Sequence, residues 1–448
     1  MLRLFDTALG YVTAVEGSQA GKFSMYVCGP TVSGEPHLGR GRFTVVWDVL
    51  RRYLGWAGME VRFASNVTDI EDKIIAKARS SGETPEQVSR RYEAVWWETM
   101  DRLGVARPDD TPHATAWVSE MVDLIGRLVE SGHAYLGGDG VYFSAESVGD
   151  YGLLARQPLE SLRAGARIEA NDAAAKRSAM DFVLWKFAKP GEPSWHSPWG
   201  EGRPGWHTEC VVMSLGLLGE GFDLHTGGLD LSFPHHENER AQATADGRVF
   251  ARHWAHNGMI VDEGGEKMSK SLGNTLSLLE LLDTYDPRAF RLQVLQAHYR
   301  SPMAVGAGTL EASSVAVERL DNFSREFAGA RAVTADEDAL AKFRAFMDDD
   351  LDTPKAIALG FDLVKAARSA TGVESAGLAS AVFEIFESAL GLELRREGKV
   401  VPPSVVERAA QRDEARSKRD WARADALRNE LIAEGWTVED GPGGTTVR

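Results

Sequence analysis

The clearest pattern along the chain lies near its amino end. Apolar residues run almost without a break through FSMYVCGPTV, residues 23–32, which predicts a buried strand closed by a Gly-Pro turn. FTVVWDVLRRYLGWAG, residues 43–58, then repeats apolar positions at helical spacing and stops at a glycine, and MEVRFASNVTD, residues 59–69, returns to a strand pattern. Strand, turn, helix and strand in this order predict one βαβ unit of a parallel, doubly wound α/β sheet. Ligands of such sheets sit beyond the carboxyl ends of the strands, where Cys28, His37 and Asn66 to Asp72 fall.

Helical spacing continues over Thr84 to Leu103 and Thr115 to Ser131. A polar, Gly- and Ala-rich stretch from about Gly137 to Lys176 reads as an inserted subdomain with a hairpin and loops. Aromatic residues then crowd residues 180–210, FDLHTGG at 222–228 predicts another strand, and a helix is expected from about His235. Beyond Leu276 the pattern is helical, interrupted by the acidic stretch Met347 to Thr353; Pro402 and Pro403 set off a tail of a helix, a short strand and a turn. No repeat of solenoid period occurs.

Composition narrows the class. A chain of 448 residues is enough for roughly three domains, and 43% hydrophobic with 26% charged residues is globular. The opening MLRLFDTALGYVTAVEG lacks a signal-peptide apolar core and no window reaches a membrane span, so a soluble, cytoplasmic protein with no membrane partner is expected. Two cysteines, Cys28 and Cys210, exclude a disulfide framework. The net charge of −16 argues against a polyanion partner for the chain as a whole, but from Arg395 to Arg448 eleven Lys and Arg stand against ten Asp and Glu. The tail is therefore where a polyanion is least repelled.

Three clusters carry chemistry. PHLGRGRF, expected between the first strand and the first helix, combines His37, the close-approach glycine Gly39 and the N–H groups of a starting helix into a phosphate cradle; an ordinary glycine loop is the alternative. GGEKMSKSLGN, residues 264–274, places Lys267 and Lys270 on a Gly-flanked loop able to close over a triphosphate. Cys28, Cys210, His235 and Glu239 supply two thiolates, an imidazole and a carboxylate, a candidate Zn²⁺ set in which His235 and Glu239 stand one helical turn apart. Two buried free cysteines beside a surface helix are the alternative there.

HLG followed about 230 residues later by KMSKS resembles the signature pair of the class I aminoacyl-tRNA synthetases. YVCGPTV, NVTDIEDKI, DFVLWK, GRPGWHTEC and GGLDLSFPHHENE together are similar to the cysteinyl-tRNA synthetase family over nearly the whole chain. The resemblance implies a Rossmann-like catalytic domain in two halves, 1–115 and 199–260, around an inserted connective subdomain at 116–198. It further implies a KMSKS-loop, stem-contact region at 261–305, a helical bundle at 306–392 and a small α+β anticodon-binding domain at 393–448.

It implies an activity too: ATP-dependent ligation of L-cysteine to tRNA(Cys) through a cysteinyl-adenylate, with Mg²⁺ accompanying ATP. One Zn²⁺ per chain, on Cys28, Cys210, His235 and Glu239, would bind the substrate thiol, a contrast between sulfur and oxygen that packing alone reads poorly. By position, Gly29, Thr31, Thr68, Trp206, His225 and Asp230 would line the cysteine pocket, with Trp206 as a core aromatic and Asp230 as a cap the blander readings. His37, Gly39, Arg40, Lys267 and Lys270 would serve ATP. Arg416, Trp421, Asp425 and Asp440 would read the anticodon, unless that helix merely caps a bundle. A monomer is expected.

Three positions depart from the family pattern: Arg40 replaces the second signature histidine, Ser33 an aromatic, and Val447 a tryptophan. A permanent guanidinium at the phosphates can hold the ground state as tightly as the transition state, so Arg40→His is expected to raise the adenylation rate; an unchanged or lower rate would mark Arg40 as adapted to its site. Two rival functions stay open on the sequence: a cysteine-activating ligase with an amino-sugar acceptor, and a non-catalytic sensor.

Overall fold

In the computed structural model, which describes residues 1–157, 176–261, 277–397, 402–434, 436, 438–441 and 444–447, the chain starts with a hairpin. Its strands β1 (Arg3–Asp6) and β2 (Tyr11–Ala14) are four residues each, too short for the hydrophobic pattern to reveal. The expected βαβ unit follows as β3 (Lys22–Val27), α1 (Leu38–Trp56) and β4 (Glu60–Ser65). Helix α1 starts well ahead of its apolar run. Gly41, which reads as a loop residue, is instead a packing glycine, since a Cβ there would meet Leu278 and Phe290 at 2.9 and 3.0 Å.

Helices α2 (Asp72–Ser81), α3 (Pro85–Arg102) and α4 (Val118–Glu130) come next. Thr84 and Gln87 form a reciprocal capping box with Pro85 in the first turn, which fixes where α3 begins. An antiparallel sheet of β5 (Ala134–Leu136), β6 (Gly140–Phe143), β7 (Phe182–Phe187) and β8 (Gly202–Pro204) forms the insertion. The aromatic-rich stretch supplies its third strand, and its fourth falls just beyond residue 198.

The chain then returns through α5 (Trp206–Leu218), β9 (Phe222–Gly228), α6 (Glu237–Ala245) and β10 (Ala251–Asn257), with β11 (Ile260–Val261) after it. The central sheet has the order β10-β9-β3-β4, all parallel. From β3 the chain winds one way and from β9 the other, so the crevice between their carboxyl ends is the switch point where ligands of such sheets bind. All seven residues of β9 are buried. Its inward Asp223 is stabilised by accepting from Ser18 N, Ser24 N and Ser24 Oγ at 2.6–2.8 Å.

Beyond residue 277 the chain is mostly helical: α7 (Leu278–Thr284), α8 (Pro287–Gln296), the short strand β12 (Met303–Ala304), α9 (Ala307–Glu326), α10 (Glu337–Asp348), α11 (Thr353–Ser369) and α12 (Gly372–Phe383). The acidic stretch separates α10 from α11, where Asp352 caps Lys355 N. One apolar core runs from β3 and α1 into this bundle, and α1 is the shared element. Its Asp48, fully buried, holds Arg291 of α8 at 2.5 Å and Arg52 at 2.9 Å. The tail is α13 (Pro403–Ser417), α14 (Trp421–Ala433) and a hairpin of β13 (Val438–Gly441) and β14 (Gly444–Val447). Val447 packs against a small core of Val405, Leu431 and Val438, which accounts for an aliphatic residue there.

Candidate functional site

The switch point brings together residues 182 apart in sequence. Cys28 stands one position past β3, Cys210 on α5, and His235 and Glu239 on the turn entering α6 and on α6 itself. Cys28 Sγ lies 3.5 Å from both Cys210 Sγ and Glu239 Oε1, Cys210 Sγ 3.7 Å from His235 Nε2, and His235 Nε2 2.9 Å from Glu239 Oε1. A tetrahedral zinc with sulfur at about 2.3 Å and nitrogen or oxygen at about 2.0–2.2 Å has donor–donor edges of roughly 3.3–3.8 Å. The four donors therefore fit such an ion with only slight spreading, and all four are buried.

Their charge state agrees with that fit. Burial alone would raise the Glu239 carboxyl, but the imidazoles of His235 and His225 outweigh it and hold it well below the carboxylate range. Burial pulls His235 down, yet Glu239 and Cys210 carry it up to about 10, so the cluster draws in positive charge. Cys28 is pushed well above its usual value by burial and by Cys210. A dication held by these four residues would supply the missing charge and would let thiols and imidazole bind as thiolate and neutral ring. A second constellation, Cys28, His225, His236 and Glu239, shares two members. It offers one thiol in place of two, and its His225 Nε2 lies 2.7 Å from Glu239 Oε2, whereas the quartet's contacts use Oε1.

His225 is thus placed as a support of Glu239, stacked on Trp254 with ring centres 4.8 Å apart. Behind it, His236 Nδ1 reaches His256 Nε2 at 2.8 Å, and Thr7 Oγ1 reaches His256 Nδ1 at 2.7 Å. Trp206 opens α5 and stacks on His235 at 3.9 Å, covering the cluster from one side. On the other side Gly29 N donates to Asn66 Oδ1 at 2.8 Å; a Cβ on Gly29 would fall 1.6 Å from the Asn66 carbonyl oxygen, so only glycine fits. Thr31 and Thr68 bridge through their backbones, and Thr68 Oγ1 donates to Glu209 Oε2 at 2.7 Å. Burial holds the Glu209 carboxyl well above the carboxylate range. Asn66, which the sequence places at the ligand end of the sheet without a role, and Glu209, His236 and His256, which it leaves unassigned, complete the polar surroundings of the cluster.

The amino end of α1 forms the second part of the site. His37 is its N-cap residue, so Gly39 and Arg40 lie in the first helical turn and not in a preceding loop. A cavity of about 340 Å³ is lined by Thr31, Ser33, His37, Arg40, Lys73 and Trp206. Ser33, smaller than an aromatic, leaves that cavity room. A narrower cleft of about 80 Å³ shares His37 and Arg40 and adds Gly39, Asp230, Met259 and Ile260. Arg40 therefore stands between the two spaces, its guanidinium 5.7 Å from the Phe43 ring centre and within the field of Asp230. Asp230 lies in a turn after β9, exposed to the cleft. Lys267 and Lys270 lie outside the described residues. Ser277, which follows that stretch, bridges to His37.

In the tail, Trp421 begins α14 with 59% of its surface exposed, unusual for an indole. Asp440 is held by Arg412 at 2.6 Å and Arg416 at 2.5 Å, and Asp425 is exposed.

Comparison with known proteins matches three stretches of the chain to family models. They are a class I (C) tRNA synthetase catalytic domain over residues 14–314, a DALR domain over 342–395 and a cysteinyl-tRNA ligase anticodon binding domain over 410–448. The cysteine–tRNA ligase of Sodalis glossinidius is 43% identical over 460 residues, and that of Alkalilimnicola ehrlichii 44% over 463, each alignment covering 100% of both chains. Among solved structures, Mycobacterium tuberculosis methionyl-tRNA synthetase with methionyl-adenylate gives a TM-score of 0.59 at 14% identity, covering 82% of this chain and 89% of that one. An Agrobacterium radiobacter LeuRS–tRNA complex gives 0.63 at 12% identity, covering 84% of each. Those two likenesses concern the fold.

Proposed function

The chain belongs to the cysteine–tRNA ligases, class I aminoacyl-tRNA synthetases, and from that premise we propose how its residues divide the work. The observation that carries the reading is the buried Cys28, Cys210, His235 and Glu239 quartet at the switch point, beside the amino end of α1. In this reading the quartet holds Zn²⁺, one per chain, and the bound ion supplies an affinity for thiolate over hydroxyl.

The remaining roles fall to the chain's own groups. Trp206 and the Gly29–Thr31 turn enclose the cysteine side chain, Thr68 and Glu209 fix the far wall, and Asp230 accepts the substrate ammonium. His225 keeps Glu239 oriented. The cysteine carboxylate, left facing the amino end of α1, attacks the α-phosphorus of ATP·Mg²⁺; the bond to the β-phosphate oxygen breaks and pyrophosphate leaves. His37, the N–H groups near Gly39, and Arg40 steady the phosphates, with Lys267 and Lys270 assigned to the pyrophosphate side. The terminal ribose hydroxyl of tRNA(Cys) then attacks the acyl carbon, AMP departs and the hydroxyl proton is lost. No protein nucleophile is required, so catalysis rests on positioning and electrostatics. The tail supports tRNA over an amino sugar as acceptor, through Arg416, Trp421, Asp425 and Asp440. A monomeric, cytoplasmic enzyme completes the reading; no described helix is long and apolar enough to cross a membrane.

The test is cysteine-dependent ATP–pyrophosphate exchange on zinc-loaded protein, with serine as control, followed by transfer of labelled cysteine to tRNA bearing a GCA anticodon. Exchange with transfer is expected. Exchange without transfer would replace the acceptor, and no exchange would point to a sensor whose phosphate site Arg40 has disabled.

A further inference from the structure

Arg42, five residues into α1 from the His37 cap, is fully buried yet meets no carboxylate among the described residues. Its NH1 donates to the Met259 carbonyl at 2.8 Å, and its NH2 to the carbonyls of Ser301, Tyr299 and His298 at 2.6, 3.1 and 3.2 Å. Burial pushes the guanidinium down to about 10, still far above neutrality, so the cation persists. A buried cation without a counter-ion costs more than a hydrocarbon of the same volume. Stability alone therefore gives no account of an arginine here.

The four carbonyls explain it by where they lie. Met259 belongs to the segment Gly258–Ile260 that walls the narrow cleft opposite His37, Gly39 and Arg40. Residues 298–301 back that wall: Gly258 N donates to Tyr299 O at 2.7 Å, Met303 N to Met259 O at 3.0 Å, and a Cβ on Gly258 would lie 2.5 Å from both the Arg300 and Ser301 carbonyl oxygens. One guanidinium thus fastens the wall and its backing to the helix that forms the opposite side. A planar fork with five donors can hold divergent carbonyls from two segments; a lysine ammonium reaches from a single point.

We infer that Arg42 is a positioning residue for the nucleotide, setting the distance between the Gly258–Ile260 backbone and the amino end of α1 and so the width of the slot offered to a flat base. The inference rests on the reading of this cleft as part of the ATP site. Width matters because groups that recognise a base edge must be held to within roughly 0.5 Å.

The experiment compares wild type with Arg42→Lys and Arg42→Gln, full chain and zinc-loaded. In exchange assays both variants are expected to raise KM for ATP by about tenfold or more, leave KM for cysteine within about twofold and keep the wild-type zinc content. The Lys variant is expected to recover part of the loss. A KM for ATP unchanged within about twofold overturns the inference. So does a parallel rise of both KM values with a lowered Tm, or failure of both variants to fold, since each marks Arg42 as merely structural. If wild type shows no cysteine-dependent exchange, the functional reading falls; equilibrium dialysis of ATP against wild type and Arg42→Lys without cysteine then judges Arg42 separately, equal affinities overturning it.

Discussion

The buried pocket proposed for cysteine and the tail are both built of charged and aromatic side chains, yet they obey different rules. In the pocket Cys28, Cys210, His235, His225 and Glu239 are almost entirely buried, and each side chain leans on another of the five at 2.7–3.7 Å. In the tail Trp421 and Asp425 face solvent, and Arg408 pairs with Glu434 at the surface. Buried polar groups punish the loss of any one partner, because the survivor stays desolvated and unpaired. Exposed ion pairs are screened and contribute little, so what an exposed indole offers is available to a ligand. The pocket is thus fixed in advance for a small substrate, whereas the tail keeps its contact surface for a partner.

Removing a ligand atom from the pocket should give the largest effect. Cys210→Ser is expected to lower kcat/KM for cysteine by roughly 10³-fold or more while the protein loses zinc on dialysis; metal content and exchange rate measured together check this. Retention of both would break the contrast, since a pocket tolerant of that change would not be fixed in advance. A smaller loss is expected from Thr68→Val, which deprives the buried Glu209 Oε2 of its 2.7 Å donor. KM for cysteine should rise about 10- to 100-fold with KM for ATP little changed, and equal rises in both would show a general collapse of the site.

Legibility in the sequence followed the same divide. The βαβ unit was readable because strand and helix periods are local, and the signature pair because the residues within each of its two motifs are contiguous. The start of α1 was not: Gly39 and Gly41 look like loop glycines, and only contact with Leu278 and Phe290, more than 230 residues away, explains why a helix needs a glycine at position 41. The quartet could be proposed by residue type, but its assembly depends on β3 and β9 being neighbours in the sheet. Asn66 was placed at the strand end but given no role, and Glu209 and His256 escaped because a polar residue beside apolar neighbours looks like noise until its partner is placed. Arg42 escaped for a further reason, since its partners are carbonyls, which every sequence contains.

In the tail the comparison is sharpened by substitutions that leave the pocket alone. Trp421→Ala should weaken tRNA(Cys) binding by about 1–3 kcal/mol and leave exchange untouched, because the ring is exposed and no part of the small core of Val405, Leu431 and Val438 depends on it. Loss of exchange as well would place Trp421 among structural residues.

The smallest effect is expected from pH. The hydrogen bonds from Arg412, then the charges of Arg412, Arg416 and Arg428, hold the Asp440 carboxyl below its ordinary range. A group whose folded value is depressed contributes fully above its unfolded value of about 3.9 and loses that contribution only as pH falls through the lower, folded value. Asp440 therefore keeps its charge and its grip on Arg412 throughout the range in which the enzyme is assayed. Measured on the full chain, the ratio of tRNA affinities between wild type and Asp440→Asn should stay constant from pH 5.5 to 8, whatever its size. A ratio that drifts by more than about threefold (roughly 0.7 kcal/mol) would mean that the carboxyl titrates within that range. Arg412 would then not be holding it, and the tail's contact surface would be less preformed than its ion pairs imply.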